Sequence, residues 1–362
     1  MSGPRTSILS FALGTGHRQV AENLARELEP LGHSCKHRAL ETWVPWEYDL
    51  LFRHGYLFLA LGLPRVWDAM YRSPWFVRRG HLVFPVMQGR VLRAFEHEGF
   101  GKSDLVVATQ YNALEVAADW KRAHHGDLRL AAVITDYDIY PLWVRPEVDL
   151  YLVPHQDQAD MLCQRGVAAG RVAVTGIPIA PAFETRHERV SSRAALALAA
   201  EVPTALIFGG GGGLGPLREF AEAALKGSRW QVILVCGQNE RLRRSLIPLA
   251  QAHPDRLRIL GYRKDIPALM QACDAVVTKA GALSLTEALT SGARVIVIPG
   301  LPGQEQVNIR FMEEKGWVDS CPSPEDLPAL LENGALGSGS ARADLPRAPA
   351  HEAARRLDLL VR

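Results

Sequence analysis

Much that would classify this chain quickly is missing from it. Its five cysteines, Cys35, Cys163, Cys236, Cys273 and Cys321, are scattered with no C-x-x-C pair. A disulfide framework and a cysteine zinc site are therefore both unindicated, and a reducing compartment fits best. Net charge is only +2, so no domain has the strongly basic balance of a dedicated nucleic-acid binder and no nucleic-acid partner is expected. Long apolar runs are also lacking. The longest, Tyr56 to Leu63, is under half of the ~20 residues that cross a bilayer, and the N-terminus shows no charged region with a cleavage site. The expected location is cytoplasmic, with any membrane contact peripheral and on the inner face. No stretch is polar enough to be a disordered module.

What is present suits two α/β domains. The 362 residues are 48% hydrophobic and 22% charged, enough chain for two separate cores. Short apolar runs alternate with stretches of helical period, the pattern of parallel strands with crossover helices. Strands are expected at 6–13, 105–109, 130–135 and 150–154, and a second series at 204–208, 232–236, 257–260, 275–278 and 294–298. Two prolines punctuate Gly176-Ile177-Pro178-Ile179-Ala180-Pro181 between the series. The expected division is thus 1–176 and 177–344, with a terminal helix in 345–362 free to pack back onto the first domain. Tandem doubly wound sheets bind ligands beyond the carboxyl ends of their strands, in a cleft. Chemistry is therefore expected on the loops that follow strands.

The first strand runs into Gly14-Thr15-Gly16-His17 and a helix beginning by Gln19. As a dinucleotide fingerprint this is a weak match, because Gln19 occupies the position of the third glycine, although Glu41 could imitate the ribose-binding acid and keeps a dehydrogenase reading open. His17 stands at a helix N-terminus, whose partial positive charge disfavours imidazolium and keeps the ring neutral. A neutral imidazole can accept a proton from an acceptor hydroxyl. Asp136 follows the strand at 130–135, and it could orient His17 or be the base itself. With Asp138 it forms a D-x-D, a pattern that in another setting chelates a metal. Two carboxylates alone are a weak match, and no metal or other cofactor is expected.

In the second half, the strand ending at Phe208 opens into Gly209, Gly210, Gly211, Gly212 and Gly213 ahead of Pro216 and a helix. Five glycines in a row are entropically costly. Backbone N–H groups that cradle a diphosphate at a helix N-terminus give them a purpose. A second strand-loop-helix junction carries Lys279, Gly281, Ser284 and Glu287, an acid placed to accept from paired ribose hydroxyls. A third loop, 299–308, offers Gln304, Glu305 and Asn308 to sugar hydroxyls.

These strings resemble one family, the diacylglycerol glycosyltransferases, which comprise monogalactosyldiacylglycerol synthases and bacterial diacylglycerol glucosyltransferases of glycosyltransferase family 28. The resemblance spans nearly the whole chain and rests on GTGHRQVAENL from Gly14, TDYDIYPLWVRPEVDLYLVP from Thr135, TGIPIAPAF from Thr175, TKAGALSLTEAL from Thr278 and IPGLPGQEQVN from Ile298. It implies the α/β GT-B fold, two Rossmann-like domains facing a cleft. It further implies inverting, metal-independent transfer of a hexose from UDP-glucose or UDP-galactose to the hydroxyl of diacylglycerol. By the same resemblance 209–213 is the phosphate site, Glu287 the ribose acceptor, Gln304 and Glu305 the hexose and nucleotide contacts, and His17 the residue that meets the acceptor. Two departures stand out: Tyr140 replaces a histidine and Ala282 a glycine.

A lipid acceptor needs a docking surface. Between Arg53 and Arg93 the chain has seven Arg, no Lys and one acid, Asp68, interleaved with aromatics and preceded by Trp43 and Trp46. Arginine beside amphipathic aromatics suits an anionic headgroup layer. Gly16, Trp46, Arg72, Trp75, Arg78, Arg79, Tyr140 and Trp143 are accordingly expected on the acceptor and membrane side. The alternatives are the same fold acting on a polyprenyl-linked acceptor with UDP-N-acetylglucosamine, a UDP-sugar epimerase, and a non-catalytic lipid or nucleotide sensor.

Overall fold

The computed structural model describes residues 3–11, 15–46, 85–124, 127–300, 303–333 and 350–362, with a few positions between 55 and 73. It divides into two compact units. Met1–Ala180 forms the first together with Pro302–Gln304 and Pro346–Arg362, and Pro181–Leu301 with Glu305–Leu345 forms the second.

Unit 1 is built on a six-stranded parallel sheet of order β2-β1-β3-β4-β5-β6. The strands are β1 (Arg5–Ser10), β2 (Ser34–Ala39), β3 (Leu105–Ala108), β4 (Arg129–Val133), β5 (Leu150–Val153) and β6 (Val172–Val174). Every residue of β3 is fully buried, as expected for a strand covered by crossover helices on both faces. Helix α1 (Gly16–Leu28) returns the chain from β1 to the edge strand β2. It turns Val20, Ala21, Leu24 and Leu28 inward, a spacing that places them on one helical face. Each fully buried Leu or Val adds roughly 1.5–3 kcal/mol.

Strands β2 and β6 were not expected. β2 reads Ser-Cys-Lys-His-Arg-Ala, with no apolar run to announce it. Its pairing with β1 and the ion pairs of Lys36 and Arg38 with Glu98 (3.1 and 2.7 Å) supply what hydrophobic patterning does not. The terminal helix α5 (Ala350–Val361) belongs to unit 1 and packs on α1. His33 Nε2 donates to Asp358 Oδ1 at 3.0 Å, and Arg362 binds the same carboxylate at 2.7 Å. The amide of Ala350 donates to the Ile179 carbonyl at 3.1 Å.

Unit 2 is a second six-stranded parallel sheet of order β12-β11-β10-β7-β8-β9. Its strands are β7 (Thr204–Phe208), β8 (Gln231–Val235), β9 (Leu257–Leu260), β10 (Ala275–Lys279), β11 (Arg294–Ile298) and β12 (Asp319–Ser320). Only the two-residue β12 was unexpected. Helix α2 (Leu217–Gly227) follows β7, α3 (Ala282–Thr290) follows β10 and α4 (Gln304–Glu314) follows β11.

Strand order reverses between β1 and β3 in unit 1 and between β7 and β10 in unit 2. At such a switch point the loops leaving two neighbouring strands diverge to opposite faces and open a crevice between them. His17 lies at the first of these places, and the glycine tract 209–213 with Lys279 at the second.

Candidate functional site

The half-site of unit 1 is assembled at the reversal between β1 and β3. His17 is the second residue of α1, partly exposed, with the first-turn peptides of the helix behind it. Its Nδ1–H donates to the carbonyl oxygen of Thr109 at 2.9 Å, and the Thr135 hydroxyl lies 2.8 Å from the same nitrogen. Thr109 also donates from its own hydroxyl to the His17 carbonyl at 3.0 Å. A carbonyl can only accept, so the proton resides on Nδ1 and the lone pair on Nε2. Burial pushes the imidazole down to about 4, opposed by the hydrogen bond to Thr109. At neutral pH the ring is an uncharged acceptor.

The partners that hold Nδ1 are thus two threonines that the sequence reading does not single out. The available signal was positional: Thr109 directly follows β3 and Thr135 lies two residues past β4. Asp136, the acid expected to orient the ring or act as base, is 8% exposed and is not without a partner. Its loop is pinned by Gln158, which donates to the Tyr137 carbonyl at 2.9 Å, and by Arg165, which donates to the Ile139 carbonyl. Burial raises the Asp138 carboxyl, with Arg165 opposing. No cluster of three or more His, Cys, Asp or Glu able to hold a metal occurs among the described residues.

Tyr140 and Trp143, expected on the acceptor side, pack into the core of unit 1. Tyr140 lies 5.0 Å from Tyr111, ring centroid to ring centroid. Gly16 opens α1 beside His17. Trp46 is 71% exposed, whereas Arg72, Trp75, Arg78 and Arg79 fall outside the described residues.

The half-site of unit 2 lies at the reversal between β7 and β10. Phe208 and Thr278 are register partners, so Gly209 and Lys279 leave adjacent strands side by side, roughly 5 Å apart. The five glycines do different work. A Cβ on Gly209 would strike the Leu214 backbone, and one on Gly213 would strike the Cys236 carbonyl. Gly210 and Gly213 also have positive φ, 70° and 59°, where a side chain is strained. Gly212 is exposed, and a methyl group there would make only ordinary contacts, so packing does not demand a glycine. The loop rests on the turn after β8: Gln238 donates its amide to the Gly211 carbonyl at 2.9 Å, and Asn239 Nδ2 reaches the Gly213 carbonyl at 3.3 Å. With carbonyls turned to that support, the loop leads into the N-terminus of α2, whose free N–H groups favour an anion.

Lys279 forms an ion pair with Glu305. Asn308 is buried and donates to the Ala280 carbonyl at 3.2 Å. Ser284 is half-buried on α3. Gln304 begins α4; its side chain lies outside the described residues. Glu287 is 6% exposed, and its Oε1 is buried with no hydrogen-bond partner among the described residues. Burial raises its carboxyl to about 8. An orphaned carboxyl oxygen of this kind destabilises the unliganded protein, and a ligand bringing hydroxyl donors would satisfy it.

Comparison with known proteins agrees in both halves. Residues 17–179 match the model of monogalactosyldiacylglycerol (MGDG) synthase, and 204–333 match the glycosyltransferase family 28 C-terminal domain. A processive diacylglycerol beta-glucosyltransferase of Bacillus pumilus is 37% identical over 202 residues, 56% of this chain and 53% of that protein. The protein of the same description from Bacillus subtilis is 29% identical over 322 residues, 86% of this chain and 82% of the relative. Among solved structures, Acinetobacter baumannii MurG aligns over 99% of both chains with a TM-score of 0.60 at 17% identity. Anabaena Alr3699/HepE in complex with UDP-glucose aligns over 99% of this chain and 98% of its own, with a TM-score of 0.54 at 15% identity. These likenesses identify the fold as GT-B.

Proposed function

We propose, from the premise that this chain belongs to the diacylglycerol glycosyltransferase family, that it transfers a hexose from UDP-glucose or UDP-galactose to the hydroxyl of diacylglycerol. One observation carries the reading. The segment that matches the MGDG synthase model places, at the switch point of its sheet, a partly exposed imidazole whose only proton is tied to Thr109.

In this mechanism His17 Nε2 receives the proton of the lipid hydroxyl as its oxygen bonds to the anomeric carbon. The bond from that carbon to the β-phosphate oxygen breaks on the opposite side, so the anomeric configuration inverts. A base as weak as one titrating near 4 takes the proton late, once bond formation has acidified the hydroxyl. The charge developing on the departing UDP is met by backbone N–H groups of the 209–213 loop other than that of Gly213, which donates to the Gly210 carbonyl, and by the N-terminus of α2. Such preorganised dipoles do the work a metal does elsewhere. Glu287 accepts from the ribose hydroxyls, Gln304 and Glu305 are assigned to the hexose and nucleotide, and Asn308 supports the loop after β10 through the Ala280 carbonyl.

Access to the lipid is peripheral. No helix among the described residues is long and apolar enough to cross a membrane, and the exposed Trp46 with the arginine-rich stretch after it supports docking on an anionic cytoplasmic leaflet. The test is an assay of purified protein with UDP-glucose, UDP-galactose and UDP-N-acetylglucosamine, each against diacylglycerol vesicles and a polyprenyl-linked acceptor, with products read by mass spectrometry. A hexosyl-diacylglycerol of inverted configuration is expected. Transfer of N-acetylglucosamine to the polyprenyl acceptor alone would replace this reading.

A further inference from the structure

His17 stands at the carboxyl ends of the unit 1 strands. At their amino ends, on the opposite side of the sheet's length, a cavity of about 410 Å³ opens where β1, β3 and β4 begin, within the size range of small-ligand sites. Arg5, Lys102, Arg129 and Arg362 bring four cations to it, from the start of β1, the turn before β3, the start of β4 and the residue after α5. Thr6 and Arg129 are both register partners of Leu105, so Arg5 and Arg129 flank the β3 entrance from its two neighbouring strands, roughly 10 Å apart. Leu128 and Val361 add an apolar wall. The acids nearby leave most of the cations' donors unused. Asp104 Oδ2 accepts the Arg5 backbone amide at 2.7 Å but stands 3.7 Å from its guanidinium. Arg129 comes no nearer than 3.7 Å to Asp149, Lys102 has neither a hydrogen bond nor an ion pair among the described residues, and Asp127, the other acid of the lining, is exposed. Arg362 is held by Asp358 at 2.7 Å, yet Asp358 also accepts from His33 at 3.0 Å, so it keeps a partner when the guanidinium turns to a ligand.

We propose that this cavity is a second anion site, which takes the phosphoryl group of a small soluble compound between Lys102 and Arg129, with Arg5 and Arg362 closing around it. A phosphoryl group suits the setting because its oxygens accept the paired donors of a guanidinium as well as an ammonium. The existing contacts at 3.7 Å are exposed and worth little, so they oppose the exchange only weakly. On the acceptor reading above, a lipid meets the His17 end of the sheet. This end is then turned to water, and the phosphate belongs to a soluble compound and not to a headgroup. Bound there, the anion ties the end of α5 to the starts of β1 and β4 and stabilises unit 1 by mass action.

Calorimetric titration of the full chain with inorganic pyrophosphate and with glycerol 3-phosphate, in wild type, Lys102→Ala and the Lys102→Ala, Arg129→Ala double variant, tests this. Both residues are exposed, so the variants should fold, and turnover without added anion should equal that of wild type. The double variant keeps the donor site, and any heat it still gives measures that site alone. Beyond that heat, wild type should bind at least one of the two anions, about tenfold more weakly in Lys102→Ala, the scale of one charge-assisted hydrogen bond, and more weakly still as salt is raised. The same anion should raise the melting temperature of wild type more than that of the double variant. Equal binding by wild type and the double variant would overturn the proposal. So would a double variant that loses only its attachment to phosphatidylcholine vesicles carrying phosphatidylserine, which would give the cavity to a lipid headgroup. A wild type that fails to bind UDP would remove the donor-site reading and leave this comparison intact.

Discussion

Thr109 holds His17 at both ends of the residue: its carbonyl accepts from the ring Nδ1 at 2.9 Å, while its hydroxyl donates to the His17 backbone carbonyl at 3.0 Å. Because Thr109 directly follows β3 and His17 begins α1, the grip spans the strand reversal and sets both the tautomer and the direction of the ring. Nε2 is left as the acceptor.

His17→Gln should lower kcat by about 10²–10⁴, the usual range for a lost general base, with UDP affinity by calorimetry unchanged. Since the ring titrates near 4, wild-type kcat should stay level on acidification through 6.5, the ordinary histidine value, and fall only toward pH 4. Stability has a definite sign as well. The folded imidazole is depressed, so the unfolded chain takes up the proton first, and stability present above pH 6.5 is lost as pH falls toward 4. Urea midpoints at pH 7 and 5 should separate less in His17→Gln.

Thr135→Val keeps the shape and removes the hydroxyl 2.8 Å from Nδ1. We expect kcat to fall about tenfold, a loss of about 1.4 kcal/mol, with KM for the donor unchanged and activity restored by Thr135→Ser. An equal rise in donor KM would mean that the threonine supports the fold and not the ring.

Glu287→Leu should stabilise the unliganded protein by about 1–3 kcal/mol, because a buried carboxyl whose Oε1 has no partner among the described residues is replaced by an apolar group, and should abolish UDP binding. In wild type the folded carboxyl titrates near 8 against an ordinary 4.5. The stability it contributes is complete below pH 4.5 and declines as pH rises through 8. Ribose hydroxyls donate to the ionised form, so UDP binding at pH 7 should release a proton. Binding enthalpies in phosphate and Tris buffers should differ accordingly, and identical values would count against the ribose contact.

Gly213→Ala should lower the melting temperature sharply, since its methyl would strike the Cys236 carbonyl at a φ of 59°. Gly212→Ala should leave the melting temperature unchanged and weaken UDP, because its methyl projects from an exposed part of the loop. Thermal melts with and without UDP read both effects; equal destabilisation by the two variants would make the loop a purely structural turn.

Strands with apolar or β-branched runs, such as Leu-Val-Val-Ala at 105–108 and Arg-Val-Ile-Val-Ile at 294–298, were legible because a strand covered on both faces must be apolar along its length. Of the four edge strands only β9, Leu-Arg-Ile-Leu at 257–260, was legible; β2, β6 and β12 were not. Ser34–Ala39 is specified by ladder hydrogen bonds and by a carboxylate, Glu98, that lies far along the chain. The glycine tract announced a tight backbone approach, yet nothing local separated Gly213, which packing requires, from Gly212, which it does not. That difference depends on where the turn after β8 rests.

By itself the sequence determined the two parallel-sheet halves, the loops on which polar residues collect, and the candidate residues His17, Lys279, Glu287 and Glu305, because periodicity and turn chemistry are local properties. Tertiary structure alone decided which nitrogen of His17 bears the proton, that Glu287 Oε1 is buried without a partner among the described residues, and that Lys279 is paired with Glu305. Tautomer, desolvation and ion pairing depend on atoms that only strand pairing and helix packing bring within about 3 Å of one another.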